Sequence, residues 1–260
     1  MQKVKVIKAS CCGANELLKA NAVVGFLIRN KKIEIGVGVS REKSDIGSPR
    51  FSWLLDVFDT LNSANEKSRI ALHVNGDWAK EIIASGCLPE AIEKLLEKAS
   101  GTTRLQLNAI GSGFTLNDIS PIALAKLISK LEETNSAKFI IPYNEASAKF
   151  VSELSTLTKH FDVLYDASFG YGKEATEFVS LFPEQLQGYA GGLGPQNIQA
   201  KLKEISKAQT QNVEIWVDAE GKLRDDNLNT LNLSKAQMFA DSAFITWKET
   251  ETTTDTELSR

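Results

Sequence analysis

The sequence contains few residues of the kinds that crosslink a chain or hold a structural metal. Its 260 residues include three cysteines and two histidines, and no two cysteines form a C-x-x-C pair. This shortage argues against both a disulfide framework and a zinc site. A reducing cytoplasm is the expected location.

Long apolar runs and a strong charge of either sign are also missing. No stretch of about 18 apolar residues is present to span a bilayer, and the N-terminal MQKVKVIKAS alternates like a strand without the apolar centre of a signal peptide. The formal net charge is −3, which gives no bulk preference for nucleic acid or an anionic membrane. We therefore expect neither kind of partner.

What the sequence does have is an alternation of short β-rich runs with longer amphipathic ones. Apolar residues recur at helical spacing in Ser120–Glu133, for example. Such alternation predicts parallel strands joined by right-handed crossovers. Strands are predicted at Val4–Ala9, Ile33–Val39, Arg69–Val74, Thr103–Leu107, Lys138–Pro142, Asp162–Asp166, Gln187–Ala190 and Val213–Val217.

Eight strands of this kind predict closure into a barrel. We expect a single α/β domain, a (β/α)8 TIM barrel over residues 1–248, followed by a disordered polar tail over 249–260. The alternative is a doubly wound open sheet, but no glycine-rich fingerprint follows the first strand. The glycines gather after the later strands, where TIM barrels bind phosphate.

One segment fits this scheme less well. Two apolar runs flank Asn30-Lys31-Lys32, a pattern typical of a hairpin. The segment therefore predicts an extra strand before the second barrel strand, and the alternative is an unusually short first helix.

Two glycine-containing segments follow late strands. In DASFGYGKE (166–174), Asp166 stands at a strand tip before Gly170, Gly172 and a predicted helix. This arrangement suits an acid–base carboxylate beside a backbone phosphate nest, and the alternative is an ordinary capped turn. In GYAGGLGPQN (188–197), a strand end, two adjacent glycines and a helix start at Pro195 form a candidate anion cradle.

Reactive or charged side chains follow three other strands. Cys11 and Cys12 end the first strand, where a thiolate serves as base or nucleophile, and the alternative is a small buried core residue. Arg50 opens a helix and suits a carboxylate, unless it is an exposed surface residue. Asp218 and Glu220 close the eighth strand and suit sugar hydroxyls, unless they belong to a solvated loop.

The two histidines, His73 and His160, have no partner at ligand spacing along the sequence. We interpret both as structural. No metal ligand set is predicted.

Taken in order, these pieces resemble the phosphoribosylanthranilate isomerase family, TIM barrels of tryptophan biosynthesis. The resemblance covers patches over most of residues 1–245, and the YAGGLGPQNI patch is nearest to the family's pattern. The matching patches are KASCCG (8–13), GSPRF (47–51), LQLN (105–108), YDASFGYGK (165–173), YAGGLGPQNI (189–198) and VDAEGKLRDD (217–226) with LNLSKAQMF (231–239).

The resemblance implies an Amadori rearrangement of an aminoaldose phosphate to an aminoketose phosphate, without metal or organic cofactor. By this resemblance Asp166 protonates the furanose ring oxygen, Cys12 removes the C2 proton, and Arg50 pairs with the anthranilate carboxylate. The other implied substrate contacts are Gln106 and Asp218. The implied phosphate-binding residues are Gly170, Gly172, Gly191 and Gly192. A monomer or a homodimer acting on a phosphorylated small molecule is expected.

The sequence departs from the family at the site itself. Asn108 replaces the family's histidine on the fourth strand, and Phe169 stands where the phosphate loop has its first glycine. Because Cys11 and Cys12 are adjacent, the sequence does not decide which faces the barrel mouth. The alternative functions are a non-catalytic or regulatory phosphate-ligand-binding barrel and another phosphosugar lyase or aldolase.

Overall fold

Eight parallel strands close into a barrel in the computed structural model, which describes residues 3–109, 116–166, 174–180, 182, 184–227 and 229–245. Each strand pairs with the next along the chain, and the eighth pairs with the first. This order confirms the predicted TIM barrel and rules out the open sheet. The strands are β1 (Val4–Ala14), β2 (Ile33–Val39), β3 (Ile70–Asn75), β4 (Thr103–Asn108), β5 (Ala137–Tyr143), β6 (Phe161–Tyr165), β7 (Gln187–Tyr189) and β8 (Val213–Ala219).

Helices pack around the barrel in the order expected of crossovers. α3 shows why one begins where it does: Ser48 accepts a hydrogen bond from the Phe51 N–H at 3.2 Å, and Pro49 occupies the first turn. None of the helices in the described ranges is long and apolar enough to cross a membrane. The helices are α1 (Ala20–Arg29), α2 (Arg41–Ser44), α3 (Pro49–Ser63), α4 (Asp77–Ser85), α5 (Glu90–Lys98), α6 (Ile122–Glu133), α7 (Ala148–Leu157), α8 (Ile198–Ala208) and α9 (Leu233–Ala243).

The extra strand predicted before β2 is wrong, and the alternative of a short first helix agrees with the structure, where the helix has ten residues. The first apolar run is α1, whose buried residues Val23, Val24, Phe26 and Leu27 follow helical rather than strand spacing. Arg69 holds the end of this helix by donating hydrogen bonds to the carbonyls of Leu27 and Asn30, both at 2.7 Å. The segment is therefore a helix, a turn and β2.

The first strand is longer than predicted. β1 continues past Ala9 to Ala14, and its pairing with β2 shifts register between Cys12 and Ala14. The shift falls at Gly13, whose φ of 98° belongs to the region that favours glycine. Both cysteines therefore lie on the strand and not in the loop that follows it.

The described part of the β6–β7 connection differs from the expected crossover. Residues 174–180 are not helical, so the helix predicted after Gly172 is wrong over that stretch. Gly170, Gly172 and Phe169 themselves lie outside the described residues. The tail predicted over 249–260 also lies outside them.

Alternate residues of each strand serve two different cores. One set, including Ile35, Leu105 and Phe139, packs against the helices in the main apolar cluster. The other set faces the barrel interior, where Trp216 is fully buried with Ile140. A Cβ atom at Gly188 would lie 2.1 Å from Trp216 Cε2, so only glycine admits the indole ring here.

A buried ion cluster lies beside Trp216 inside the barrel. Arg104 contacts Glu34 Oε1 at 2.9 Å and Asp162 Oδ2 at 3.1 Å. Two lysines from neighbouring strands reach the same carboxylates, Lys8 to Glu34 at 3.2 Å and Lys138 to Asp162 at 2.6 Å. Glu34 and Asp162 thus have two cationic partners each, which offset the cost of burying their charges below the carboxyl-terminal mouth of the barrel.

Candidate active site

The two adjacent cysteines of β1 face opposite sides of the barrel wall. Cys11 lies in the apolar cluster under the helices, and its thiol donates to the Ala236 carbonyl of α9 at 3.8 Å. Cys12 faces the interior, where its Sγ lies 3.3 Å from Asp218 Oδ2. Cys12, and not Cys11, is therefore the cysteine that faces the barrel mouth.

Cys12, His73 and Asp218 form a compact cluster at the mouth, at or near the ends of β1, β3 and β8. Cys12 Sγ lies 3.7 Å from His73 Nε2, and the candidate ligand atoms of all three side chains lie within 4.8 Å of one another. Each residue is less than 10 % exposed: Cys12 1 %, His73 6 % and Asp218 8 %. His73 has no partner at ligand spacing along the sequence, but barrel closure brings it next to Cys12 and Asp218 from other strands.

Gly36 on β2 makes room for this cluster. Cys12 and Gly36 are register partners, and a Cβ atom at Gly36 would lie 2.5 Å from Cys12 Sγ and 2.8 Å from His73 Nε2. Any side chain at this position would push the thiol and the imidazole apart. The close approach of the thiol and the imidazole therefore requires glycine at position 36.

Burial sets the protonation behaviour of the cluster. It raises the pKa of Asp218 to about 6, and Glu220 and Asp166 add to that rise, whereas His73 and the Cys12 hydrogen bond oppose it. Burial, followed by the negative charge of Asp218, also raises the pKa of the Cys12 thiol well above its usual value. Cys12 is consequently a thiol that donates to Asp218.

A chain of amides continues from the cluster across β3 and β4. Gln106 Nε2 donates to Asn108 Oδ1 at 2.9 Å, and Asn108 Nδ2 donates to Asn75 Oδ1 at 3.0 Å. Asn75 in turn donates to the His73 carbonyl at 2.8 Å. The buried Oε1 of Gln106 has no hydrogen-bond partner among the described residues, which leaves it available to a ligand hydroxyl.

Asp166 follows β6 on the same rim. It is half-buried, its backbone N–H donates to the Tyr143 carbonyl at 3.3 Å, and its charge contributes to the raised pKa of Asp218. Asp166 therefore belongs to the mouth, within electrostatic range of the cluster.

Arg50 also reaches the rim, but it already holds a carboxylate. Its Nη1 donates to the Gly38 carbonyl at 2.9 Å, and its Nε donates to Glu16 Oε2 at 2.6 Å. Burial alone would raise the pKa of Glu16, but the hydrogen bond and charge of Arg50 hold it below its usual value. A ligand carboxylate would have to displace Glu16 from Arg50.

The glycine turn after β7 is packed by side chains that sequence reasoning missed. Gly191 and Gly192 have φ values of 105° and 65°. A Cβ atom at Gly192 would lie 2.9 Å from Glu174 Cγ, and Glu174 pairs with Lys222 at 2.5 Å. An acidic side chain thus lies against the predicted anion cradle.

The helix that follows this turn starts later than Pro195. α8 begins at Ile198, and the residue before it, Asn197, accepts a hydrogen bond from the Gly194 N–H at 2.8 Å and donates to the Gly192 carbonyl at 2.9 Å. The Asn197 side chain therefore holds the turn in shape.

Two other candidate residues from the sequence form ion pairs with neighbouring side chains. His160 is exposed and pairs with Glu132, remote from the mouth. Glu220 pairs with Arg224 at the end of β8. The sequence carried no local signal for the missed residue His73, because its partners Cys12 and Asp218 lie on other strands.

Comparison with known proteins supports the fold. No family model and no curated protein sequence matches this chain. A structure of monomers of the dimeric phosphoribosylanthranilate isomerase of Thermotoga maritima matches with a TM-score of 0.52 and 13 % identity, over 91 % of this chain and 98 % of that one. A phospho-2-dehydro-3-deoxyheptonate aldolase from the same organism matches with a TM-score of 0.47 and 9 % identity, over 92 % and 68 %. At 13 % identity the likeness to the isomerase extends to the TIM-barrel fold alone.

Proposed function

We propose that this protein is an acid–base isomerase that converts an aminoaldose phosphate to an aminoketose phosphate, with phosphoribosylanthranilate as the substrate and tryptophan biosynthesis as the context. The observation that carries the proposal is the hydrogen bond from the Cys12 thiol to Asp218 at the barrel mouth, 3.3 Å long and buried. A buried proton donor beside its acceptor supports acid–base chemistry at this face, because TIM barrels bind substrates at the carboxyl ends of their strands.

The proposed reaction needs two proton transfers with the substrate, one to the furanose ring oxygen and one from C2, which are both bonded to C1. Asp166 protonates the furanose ring oxygen, so that the ring opens to a Schiff base. Asp218 accepts the Cys12 proton, and the resulting thiolate removes the proton from C2; the enamine then tautomerises to the aminoketose. Because burial raises the pKa of Asp218 to about 6, its carboxylate is a stronger base than that of an ordinary aspartate and is still ionised at neutral pH.

The rim offers contacts for the substrate's two acidic groups. Arg50 binds a carboxylate in the structure already, that of Glu16, which supports its role toward the anthranilate carboxylate. The amides of Gly191 and Gly192, together with Gly170 and Gly172 outside the described residues, are the proposed phosphate ligands. Gln106 Oε1, buried and without a described partner, is proposed to accept from a substrate hydroxyl.

Genetic complementation tests the proposal most directly. We expect the gene to restore growth of a tryptophan auxotroph that lacks the isomerase, and Asp166→Asn or Cys12→Ser to abolish the rescue. With purified protein each variant should lower kcat by about 10²–10⁴-fold, the usual contribution of a general acid or base. Asp241→Asn, the same change on the outer helix α9, is the control and should retain full activity. A folded protein that neither complements nor turns over the substrate would contradict the proposal.

A second candidate is a non-catalytic barrel that binds a phosphorylated ligand. The observation that favours it is the burial of Cys12, which raises the pKa of its thiol well above the usual value and so makes it a poor base, whereas backbone amides need no titratable group to bind phosphate. Phosphate-ligand binding without turnover of any aminoaldose phosphate would favour this candidate. A lyase or aldolase would instead show cleavage products.

A further inference from the structure

The Cys12–His73–Asp218 cluster combines three donors that differ in kind. A thiolate sulfur, an imidazole nitrogen and a carboxylate oxygen together suit thiophilic or borderline divalent ions and not Mg²⁺ or Ca²⁺, which prefer oxygen donors. All three side chains are buried, unlike the acidic clusters common on protein surfaces.

The spacing of these donors fits tetrahedral coordination. With metal–sulfur bonds of about 2.3 Å and metal–nitrogen or metal–oxygen bonds of about 2.0–2.1 Å, tetrahedral angles separate sulfur from either lighter donor by about 3.5 Å. The two measured separations are 3.3 Å from Cys12 Sγ to Asp218 Oδ2 and 3.7 Å from Cys12 Sγ to His73 Nε2. No large movement of the strands is needed to bring the donors to one ion.

Gly36 supplies a second, independent observation. A Cβ atom there would lie under 3 Å from both Sγ and Nε2, so the backbone keeps this volume clear on the side of the barrel where the two donors converge. Once Cys12 has lost its proton, the thiolate and the Asp218 carboxylate carry two adjacent negative charges, which one divalent cation neutralises.

We propose that Cys12, His73 and Asp218 form a three-ligand site for a thiophilic divalent cation, Zn²⁺ being the first candidate. The fourth tetrahedral position is left to water or a ligand oxygen, as in zinc sites with three protein ligands. Binding releases the thiol proton of Cys12. This inference goes beyond the proposed isomerase, since a metal on Cys12 withdraws the thiolate that isomerisation requires, and loading with Zn²⁺ inhibits turnover.

The test uses the full chain with the other two thiols removed. Cys11 lies under the helices and Cys87 is exposed, so in the Cys11→Ala/Cys87→Ser variant Cys12 is the remaining thiol. Titration with Co²⁺ should give one equivalent of tetrahedral metal with a near-ultraviolet thiolate-to-cobalt charge-transfer band. Zn²⁺ should displace the cobalt, and Mg²⁺ and Ca²⁺ should not.

Ligand variants complete the experiment. His73→Gln and Asp218→Asn, each in the same background and checked for folding by circular dichroism, should lower the Co²⁺ affinity by more than about 100-fold, since even residues behind metal ligands cost 10–100-fold. Cys12→Ser should abolish the charge-transfer band. A missing band in the reference variant, or unchanged affinity in folded His73→Gln, would overturn the proposal. Because cobalt binding is read by absorption, its failure is distinguishable from failure of the isomerase proposal, which is read by turnover.

Discussion

Cys12 and Gly36 are register partners across β1 and β2, and the glycine leaves its side-chain volume to the Cys12 sulfur. Gly36→Ala would place a methyl group 2.5 Å from Sγ. We expect this overpacking to cost about 1–3 kcal/mol and to lower isomerase kcat at least tenfold, by displacing the thiol. Urea denaturation and steady-state kinetics measure the two effects.

Gly38→Ala is the matched control for that change. It lies on the same strand and the same face, but its Cβ atom would meet only Asn75 Nδ2, at 3.4 Å. We expect a smaller loss of stability and of kcat than for Gly36→Ala. If both variants lost the same stability and the same kcat, the contact with Cys12 would not explain the effect of Gly36→Ala.

Glu174 opposes an anion at the Gly192 turn, so its neutralisation should strengthen phosphate binding. Glu174 and Lys222 form an exposed pair, and the hydrogen bond from Lys222 is the main reason that the pKa of Glu174 lies below its usual value. In Glu174→Gln we expect inorganic phosphate to bind about fivefold more tightly, as befits the removal of one nearby like charge in water. Isothermal titration calorimetry measures the dissociation constant for phosphate, and the control Glu177→Gln should leave it unchanged. Weaker phosphate binding in Glu174→Gln than in the parent protein, or no binding in either, would argue against a phosphate-binding site at this turn.

The buried carboxylate of Glu34 makes stability depend on pH. Burial alone would raise its pKa, but the charges of Arg104 and Lys8 hold it below the usual 4.5. The stability that Glu34 contributes is therefore complete above pH 4.5 and declines as the pH falls through the lower folded-state value. We expect the free energy of unfolding to fall less steeply with acidification in Glu34→Gln than in the parent protein.

Urea denaturation at a series of acidic pH values checks this slope. Glu214→Gln is the control, because Glu214 is an exposed strand residue paired with Lys5. Its slope should match that of the parent protein, and a Glu34→Gln slope equal to both would show that this carboxylate is not responsible.

Arg104 should be costly to remove because it lies between two buried carboxylates. Arg104→Met leaves Glu34 and Asp162 with one lysine each, and breaking such a buried network costs about 3–5 kcal/mol. Arg29→Met on the surface of α1 should change stability by less than about 0.5 kcal/mol. If chemical denaturation gave similar losses of unfolding free energy for Arg104→Met and Arg29→Met, the buried ion cluster would not be a major contributor to stability.

Gly188 and Trp216 should be energetically coupled. Gly188→Ala forces a methyl group into the indole ring, at a cost of about 1–3 kcal/mol. In a Trp216→Leu background the same change should cost less, because the ring is gone. A double-mutant cycle of unfolding free energies measures the coupling, and additive effects would show that the barrel centre relaxes around the methyl group.

The sequence by itself determined the architecture, because the fold depends on periodicity that is local to each segment. Alternating β-rich and amphipathic runs were enough to predict a barrel, and the β2 prediction of Ile33–Val39 agrees with the structure at both ends. The hairpin error at Asn30 arose where a short apolar helix has no strong start signal, and its end is held by Arg69, a residue distant in sequence.

The composition of the site was decided by the tertiary structure. Cys12 and Cys11 differ only in which side of the wall they face, and that depends on strand register. His73 meets Cys12 and Asp218 only because barrel closure brings β1, β3 and β8 together around Gly36. Glu174 reaches the Gly192 turn across a loop, where no sequence period applies. Local patterns specify elements, whereas the proximity of side chains from separate strands follows from how the sheet closes.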